Sequence, residues 1–452
     1  MAEAQAGATD GAATADDIEI DVVDFIDRQP VGRFQIGLLL TCAAVLFIDG
    51  FDTQAVGYVA PAVAQEWKLA RGTLGPVFSS GLFGLMLGAL VVGPIADRIG
   101  RRQVIIASTA VFGLATLATV FAQDVNALLT IRFLTGIGLG GAMPNTVALV
   151  TEFSPRRRRA TMVMSMFAGF SIGAATGGLI AAALIPYFGW RSVFVVGGVV
   201  PLLLLPFLIA RLPESIRFLV FAGGADQTVA ALLTRLAPTR RPPARAGFRI
   251  SEGRNPGIPV SQLFMNGRTA ATLAFWLMFF MSLLDLFLLA NWLPTVLNDL
   301  GASISLAAVI GAMLQIGGFV GVFALGSLID RFSFVALALV YLGAAAAVST
   351  IGYAGHSVPL VTLAIFCSGF GIVGGQTAAN ALAATYYPTD IRSTGVGWAL
   401  GIGRVGSIVG PLVGGMMLSR QVGAETLFLA AAVPALFAAA AAFALSRLVE
   451  PI

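Results

Sequence analysis

Four ionisable side chains stand inside long apolar stretches of this chain: Asp49, Asp52, Asp285 and Arg404. A charge at the centre of a membrane helix costs roughly 2.5–3.5 kcal/mol on insertion scales, so each is expected to have a partner or a task. Asp49 and Asp52 are three apart and share a helix face. Two carboxylates this close in low dielectric resist being charged together, which suits them to binding and releasing a proton. Arg404 offers a planar fork of donors that matches a carboxylate in bidentate fashion. Its structural alternative is a pair with one of the aspartates. The chemistry in view is recognition of an organic anion coupled to proton binding. Enzymatic chemistry has little to draw on. Cys42 and Cys367 both sit in apolar windows, and His356, the single histidine, falls in a loop where a solvated side chain is expected. No spaced metal ligands and no nucleophile with its base are present in the sequence, so neither a metal nor another cofactor is expected.

These residues must be positioned by membrane-spanning helices. Of 452 residues, 57% are hydrophobic and 11% charged, against about 45–50% and 25% in ordinary globular domains. Crossing hydrocarbon takes about 20 mostly apolar helical residues. Twelve such windows are predicted, near 34–57, 74–95, 103–121, 128–151, 161–185, 191–210, 267–297, 304–328, 334–353, 358–384, 394–416 and 425–446. Alternating segments typical of a β-barrel do not occur. The expected fold class is an all-α membrane protein.

The net charge of +4 raises nucleic acid as a partner, but the positions of the basic residues point to a lipid bilayer instead. With the amino terminus inside, Arg98, Arg101, Arg102, Arg156 to Arg159, nine arginines from Arg211 to Arg268, Arg331 and Arg392 all fall in inner loops. The outer loops hold only Lys68, Arg71, Arg191 and Arg420. That asymmetry is the positive-inside rule, and both termini are expected in the cytoplasm. Residues 1–17 lack the basic region and apolar run of a cleaved signal. A short amphipathic lead-in is expected from about Ile18 to Ile26.

A single offset of 233 residues maps the first half onto the second: Asp52 onto Asp285, Pro61 onto Pro294, Gly93 onto Gly326, Asp97 onto Asp330, Arg98 onto Arg331, Arg159 onto Arg392 and Gly177 onto Gly410. The halves read as duplicated six-helix bundles in the same orientation, related by an axis along the membrane normal. The predicted division is 1–33 as a tail, 34–210 as one bundle, 211–266 as an arginine- and proline-bearing linker, 267–446 as the second bundle and 447–452 as a tail. Arg404 falls where the repeat has Ser171, so the halves have specialised there.

The loop after the second window reads Gly93-Pro94-Ile95-Ala96-Asp97-Arg98-Ile99-Gly100-Arg101-Arg102, with a degraded copy ending in Asp330-Arg331. Asp97 can pair with Arg101 and favour a helix amino end, which makes the loop a candidate conformational latch. Gly136, Gly138 and Gly141 formally satisfy a dinucleotide fingerprint, but the strand it requires is missing. Helix packing is the expected role. Arg132 and Glu152 flank that fourth window and are read as structural pairs at its ends.

The Gly-x-x-x-Asp-Arg-x-Gly-Arg-Arg loop resembles the signature of the major facilitator superfamily. Asp49-Gly50-Phe51-Asp52, the run from Arg132 to Pro144 continuing to Asn145 and Glu152, Asn291-Trp292-Leu293-Pro294-Thr295, and Gly395 to Arg404 narrow the likeness to its aromatic acid/proton symporter branch. The resemblance covers the chain from about Asp21 to the last window. It implies uptake of a benzoate-like acid with a proton by a monomer in a bacterial inner membrane. On that reading Arg404 meets the carboxylate, Trp398, Phe279, Phe280 and Trp292 supply apolar walls, and Asn145, Asn291, Gln376 and Asn380 read ring hydroxyls or else bond between helices. Asp49, Asp52 and Asp285 become candidates for proton coupling. Export of drugs or metabolites, or uptake of a sugar or another organic acid, uses the same fold and stays open.

Overall fold

The computed structural model describes residues 19–449, apart from 71, 224, 239, 241, 244–245, 251–259, 355–356 and 389–390. The expectations for residues 1–17, for Ile18 and for His356, and the side chain of Asp330, lie outside what is described.

A strand β1 (Glu19–Asp21) and a helix α1 (Val22–Asp27) precede the first half, which comprises α2 (Arg33–Glu66), α3 (Gly75–Ile99), α4 (Arg101–Ala118), α5 (Val125–Glu152), α6 (Arg156–Phe188) and α7 (Arg191–Arg211). Helices α8 (Ile216–Ala222) and α9 (Asp226–Leu236) and strand β2 (Gly247–Arg249) lie between the halves. The second half is α10 (Thr269–Asp299), α11 (Ile304–Tyr353), α12 (Val358–Tyr386), α13 (Arg392–Ser419) and α14 (Ala424–Leu448). Helix α11 contains two spans, Ile304–Gly326 and Arg331–Tyr353, joined at a kink where Ser333 has φ 47°. Among the described residues, twelve helices are thus long and apolar enough to cross a membrane. In hydrocarbon only such internally hydrogen-bonded segments satisfy every backbone group. The first helix continues past its predicted end, through Pro61 to Glu66. The window is predicted to end near 57, but the apolar run from Tyr58 to Ala64 carries the helix on to Gln65 and Glu66, which pair with Asn298 and Arg191.

Within the first half, glycines let backbones meet. A Cβ added at Gly136 or Gly140 of α5 would strike the α3 carbonyls of Gly81 and Leu85, and at Gly138 it would lie 2.7 Å from the Phe112 amide nitrogen of α4. This is the close approach that small residues permit between membrane helices, as the glycine spacing predicts.

The lead-in is more than an amphipathic helix. Strand β1 pairs in parallel with β2 of the linker, and Val22 and Ile26 are buried with Ile216, Val229, Leu232 and Leu233 of α8 and α9, beneath Leu38 and Phe153 of the first half. Asp27 bonds Arg156 at 3.2 Å. Both segments therefore belong mechanically to the first half.

The halves meet at the end away from the described termini. Gln65 and Asn298, repeat mates 233 positions apart, share a hydrogen bond of 2.9 Å. A bond between equivalent residues places them at the pseudo-symmetry axis. Ser79 donates to the Ile408 carbonyl at 2.7 Å, Ser305 to that of Ala182 at 2.9 Å, and Phe78 packs edge-on against Trp292. On α13, Gly415 contacts Gly72 and Gly75, yet Gly397, five turns back on the same face, has nothing within 4 Å of an added Cβ. The halves close at one end and part toward the other.

Gly57 lies in this seal, where an added Cβ would stand 2.6 Å from the Ala290 carbonyl oxygen. Gly57→Leu is expected to wedge α2 from α10 and hold that end open. Spin labels at the two helix ends should report a longer separation than in the parent chain; an unchanged separation would refute the seal.

Candidate functional site

Asp52 and Arg132 form one buried unit. Asp52 Oδ2 lies 3.1 Å from Arg132 Nη1, and Asp52 Oδ1 accepts from Thr116 Oγ1 at 2.7 Å. Arg132 Nη2 donates to Thr119 at 3.0 Å and Thr135 at 3.1 Å, while Phe194 places its ring 5.0 Å from the guanidinium carbon. Arg132 therefore pairs in the interior of the bundle, two turns inside α5, instead of at a helix end. The unit borders a small cavity of about 30 Å³ shared with Thr53, Phe78 and Asn291, room for roughly one water molecule. Thr116, Thr119 and Thr135 were not singled out by sequence, although hydroxyls recurring near a charge in apolar windows were the available signal.

Asp49 is fully buried and has different company. One carboxylate oxygen accepts from Thr53 at 3.1 Å; the other has no partner among the described residues. Across the interface, Arg404 interacts with it electrostatically. Arg404 is half-buried, and its Nη2 touches Met143 Sδ of α5 at 3.5 Å. Among the described residues it forms no ion pair at contact distance, so the expected alternative of a direct pair with an aspartate is not the arrangement here. One helix face thus splits: Asp52 turns into the first half, and Asp49 faces the other half's cation.

Asp285, the repeat mate of Asp52, is also fully buried in α10, but neither of its oxygens has a partner among the described residues. Nearby, Tyr341 bonds Ser282 at 3.1 Å.

The candidate ring-reading residues are dispersed. Asn145 donates to Gly141 within its own helix at 2.8 Å, and Asn291 to Phe287 at 2.7 Å. Gln376 and Asn380 face one another one turn apart on α12 at 3.4 Å, and Gln376 Oε1 is buried without a partner among the described residues. Phe279 is completely buried in the core of the second half, its backbone against Gly403. Trp292 is buried and donates to the Pro411 carbonyl at 2.8 Å, which makes it part of the seal. Trp398 is 42% exposed and stacks on Trp276. Six positions before Arg404, it points about 120° away around the helix, so the two side chains leave α13 on different faces.

In the candidate latch, Arg101 pairs with Glu152 at 3.1 Å and not with Asp97, which is exposed together with Arg98. Gly100 (φ 99°) makes the turn between α3 and α4, a conformation that favours glycine. The Arg102 amide donates to Glu214 at 3.1 Å and its side chain to the Ile209 carbonyl at 2.6 Å. Ser215 donates to Glu152 at 2.5 Å, so Glu152 is held by Arg101 and Ser215 at the end of α5. Gly93 has an open flank. Arg331 lies over the ring of Phe332 at 5.1 Å.

Known proteins resemble this chain in sequence and in fold. Residues 42–276 and 275–451 each match the sequence profile of the Major Facilitator Superfamily. The chain is 42% identical over 425 residues to the 4-hydroxybenzoate transporter PcaK of Pseudomonas aeruginosa, covering 93% of this chain and 95% of that protein. It is also 42% identical over 430 residues to the gallate transporter of Pseudomonas putida, covering 95% of each. Its fold is similar to the inward-facing, occupied structure of a bacterial homologue of the human lysosomal transporter Spinster, with TM-score 0.72 and 17% identity over 93% of this chain and 98% of that one. With two six-helix halves that each match the profile, and relatives alike over nearly their whole length, this chain belongs to the Major Facilitator Superfamily and is a membrane transporter, not an enzyme.

Proposed function

We propose that the protein takes up a benzoate- or hydroxybenzoate-like carboxylate together with protons by alternating access. The carrying observation is Arg404. Arg132, deep in its span, is already matched by Asp52, whereas Arg404, deep in α13, stands between the halves without a carboxylate in contact among the described residues. The names of the hydroxybenzoate and gallate relatives support an aromatic acid as the anion that fills this place.

The coupling follows from charge. While ionised, Asp49 competes with an incoming carboxylate for the field of Arg404. A proton on Asp49 removes that competition, so acid and proton favour each other's binding, and linkage makes the effect reciprocal. Gln376 Oε1, without a partner among the described residues, is the acceptor for a ring hydroxyl, with Asn380 beside it. The bodies that rock are 34–210 and 267–446, joined by 211–266. By the positive-inside rule the face bearing the termini is cytoplasmic, in a bacterial inner membrane, and the described state is then inward-open. The Arg101–Glu152–Ser215 cluster stiffens that face, and the protein works as a monomer.

Cells holding the inserted protein should accumulate radiolabelled 4-hydroxybenzoate or a related acid. An uncoupler should abolish accumulation, and Asp49→Asn should retain exchange of labelled for unlabelled acid while losing uphill uptake. If no aromatic acid accumulates in the parent strain, export or another solute replaces this reading.

A further inference from the structure

The internal repeat breaks at a charge. In the first half Asp52 is neutralised by Arg132 and hydrogen-bonded by Thr116. The same offset puts Asp285 in place of Asp52, but Ile365 in place of Arg132, Ser349 in place of Thr116, and Gly352 in place of Thr119. Ile365 is fully buried. Ser349 donates instead to the Ala345 carbonyl at 2.9 Å, and Ser368, the mate of Thr135, to that of Ala364 at 2.8 Å. The acid has been kept while its cation and hydroxyl donors have gone.

Helix α10 packs against α2, α11, α12, α13 and α14. From these, Tyr341 of α11 is the titratable group that interacts with Asp285. Asp52 of α2 is paired with Arg132, Asp49 of α2 and Arg404 of α13 interact with each other, and no basic side chain contacts Asp285 among the described residues. Asp285 is wholly buried, and neither oxygen has a partner among the described residues. A desolvated carboxyl group without cation or donor is stable only as the neutral acid.

We propose that Asp285 is a second proton-carrying group, holding a proton in this state and exchanging it with water when the halves rearrange, so that two protons accompany each monovalent acid. The inference rests on the reading above, in which Asp49 takes the other proton. Two protons with one anion move one net positive charge inward, so the membrane potential itself drives uptake; one proton with one anion would be electroneutral.

The test uses purified protein in liposomes, with labelled acid and either an inside-negative potential imposed by valinomycin and potassium at equal pH, or a pH gradient without potential. The parent protein is expected to respond to both. Asp285→Asn is expected to keep acid exchange and the response to the pH gradient, lose the response to potential, and halve the proton-to-acid ratio. A parent protein that exchanges acid but ignores the potential, or an Asp285→Asn protein that still follows it, overturns the proposal. Infrared difference spectra over a pH step give a readout independent of substrate. A buried carboxylic acid C=O band present in the parent, shifted in Asp285→Glu and missing in Asp285→Asn supports the assignment. A parent lacking the band overturns it, even if Asp285→Asn does not fold. Absence of acid exchange in the parent, with the band present, would instead sink the aromatic-acid reading and leave Asp285 as a proton site.

Discussion

Arg404→Ala is expected to weaken binding of an aromatic carboxylate by about 30- to 1,000-fold, the range that follows when loss of one partner of a desolvated charge pair costs about 2–4 kcal/mol. Arg404 is half-buried between the halves, and its side chain bonds the Met143 thioether. Little protein structure depends on it, so the thermal stability of the detergent-solubilised variant should stay close to that of the parent. Arg404→Lys should fall between the two, because an ammonium keeps the charge but not the fork. Titration of tryptophan fluorescence with 4-hydroxybenzoate would measure all three. A variant that binds as tightly as the parent, or one that loses stability instead of affinity, would return Arg404 to a structural role.

The opposite pattern is expected at Asp52 and Arg132. Removing one member of a buried pair costs about 3–5 kcal/mol because a charge is left desolvated without its partner. Asp52→Asn strands an arginine, which cannot shed its proton; Arg132→Leu strands a carboxylate, which can become neutral by binding one. Asp52→Asn should therefore lower thermal stability more than Arg132→Leu. Combining Asp52→Asn with Arg132→Leu should recover part of the loss, since contacting residues are non-additive. Melting of the four proteins in detergent closes the cycle. If the effects simply add, the pair is not coupled, and Asp52 returns to the proton-carrying role expected from its spacing to Asp49.

Arg404 and the three aspartates were singled out by one physical rule, the cost of a charge in hydrocarbon, which needs no knowledge of neighbours. The twelve helices and the duplicated halves were legible for the same reason, because burying backbone in lipid imposes one solution on each apolar window. The strand pair between lead-in and linker was not legible. The segments 19–21 and 247–249 are three residues long with a single apolar side chain each, Ile20 and Phe248, and their pairing exists only where α8 and α9 fold under the first half. Trp398 was an expected wall by residue type, yet its direction from α13 depends on helix rotation, and packing on Trp276 turns it from Arg404.

Sequence by itself thus determined which segments enter the membrane and which charges they carry there, since insertion depends on the composition of each segment alone. Which charges cancel was decided only by tertiary structure. Arg132 reaches Asp52 from 80 positions away, Asp49 is left facing Arg404 across the interface, and Asp285 is left with neither cation nor donor among the described residues. The physical reason is that a helix's rotation and neighbours are set by close packing of glycines and side chains from distant helices. Apolarity ensures that a span inserts, but it does not select the partner each buried charge will meet.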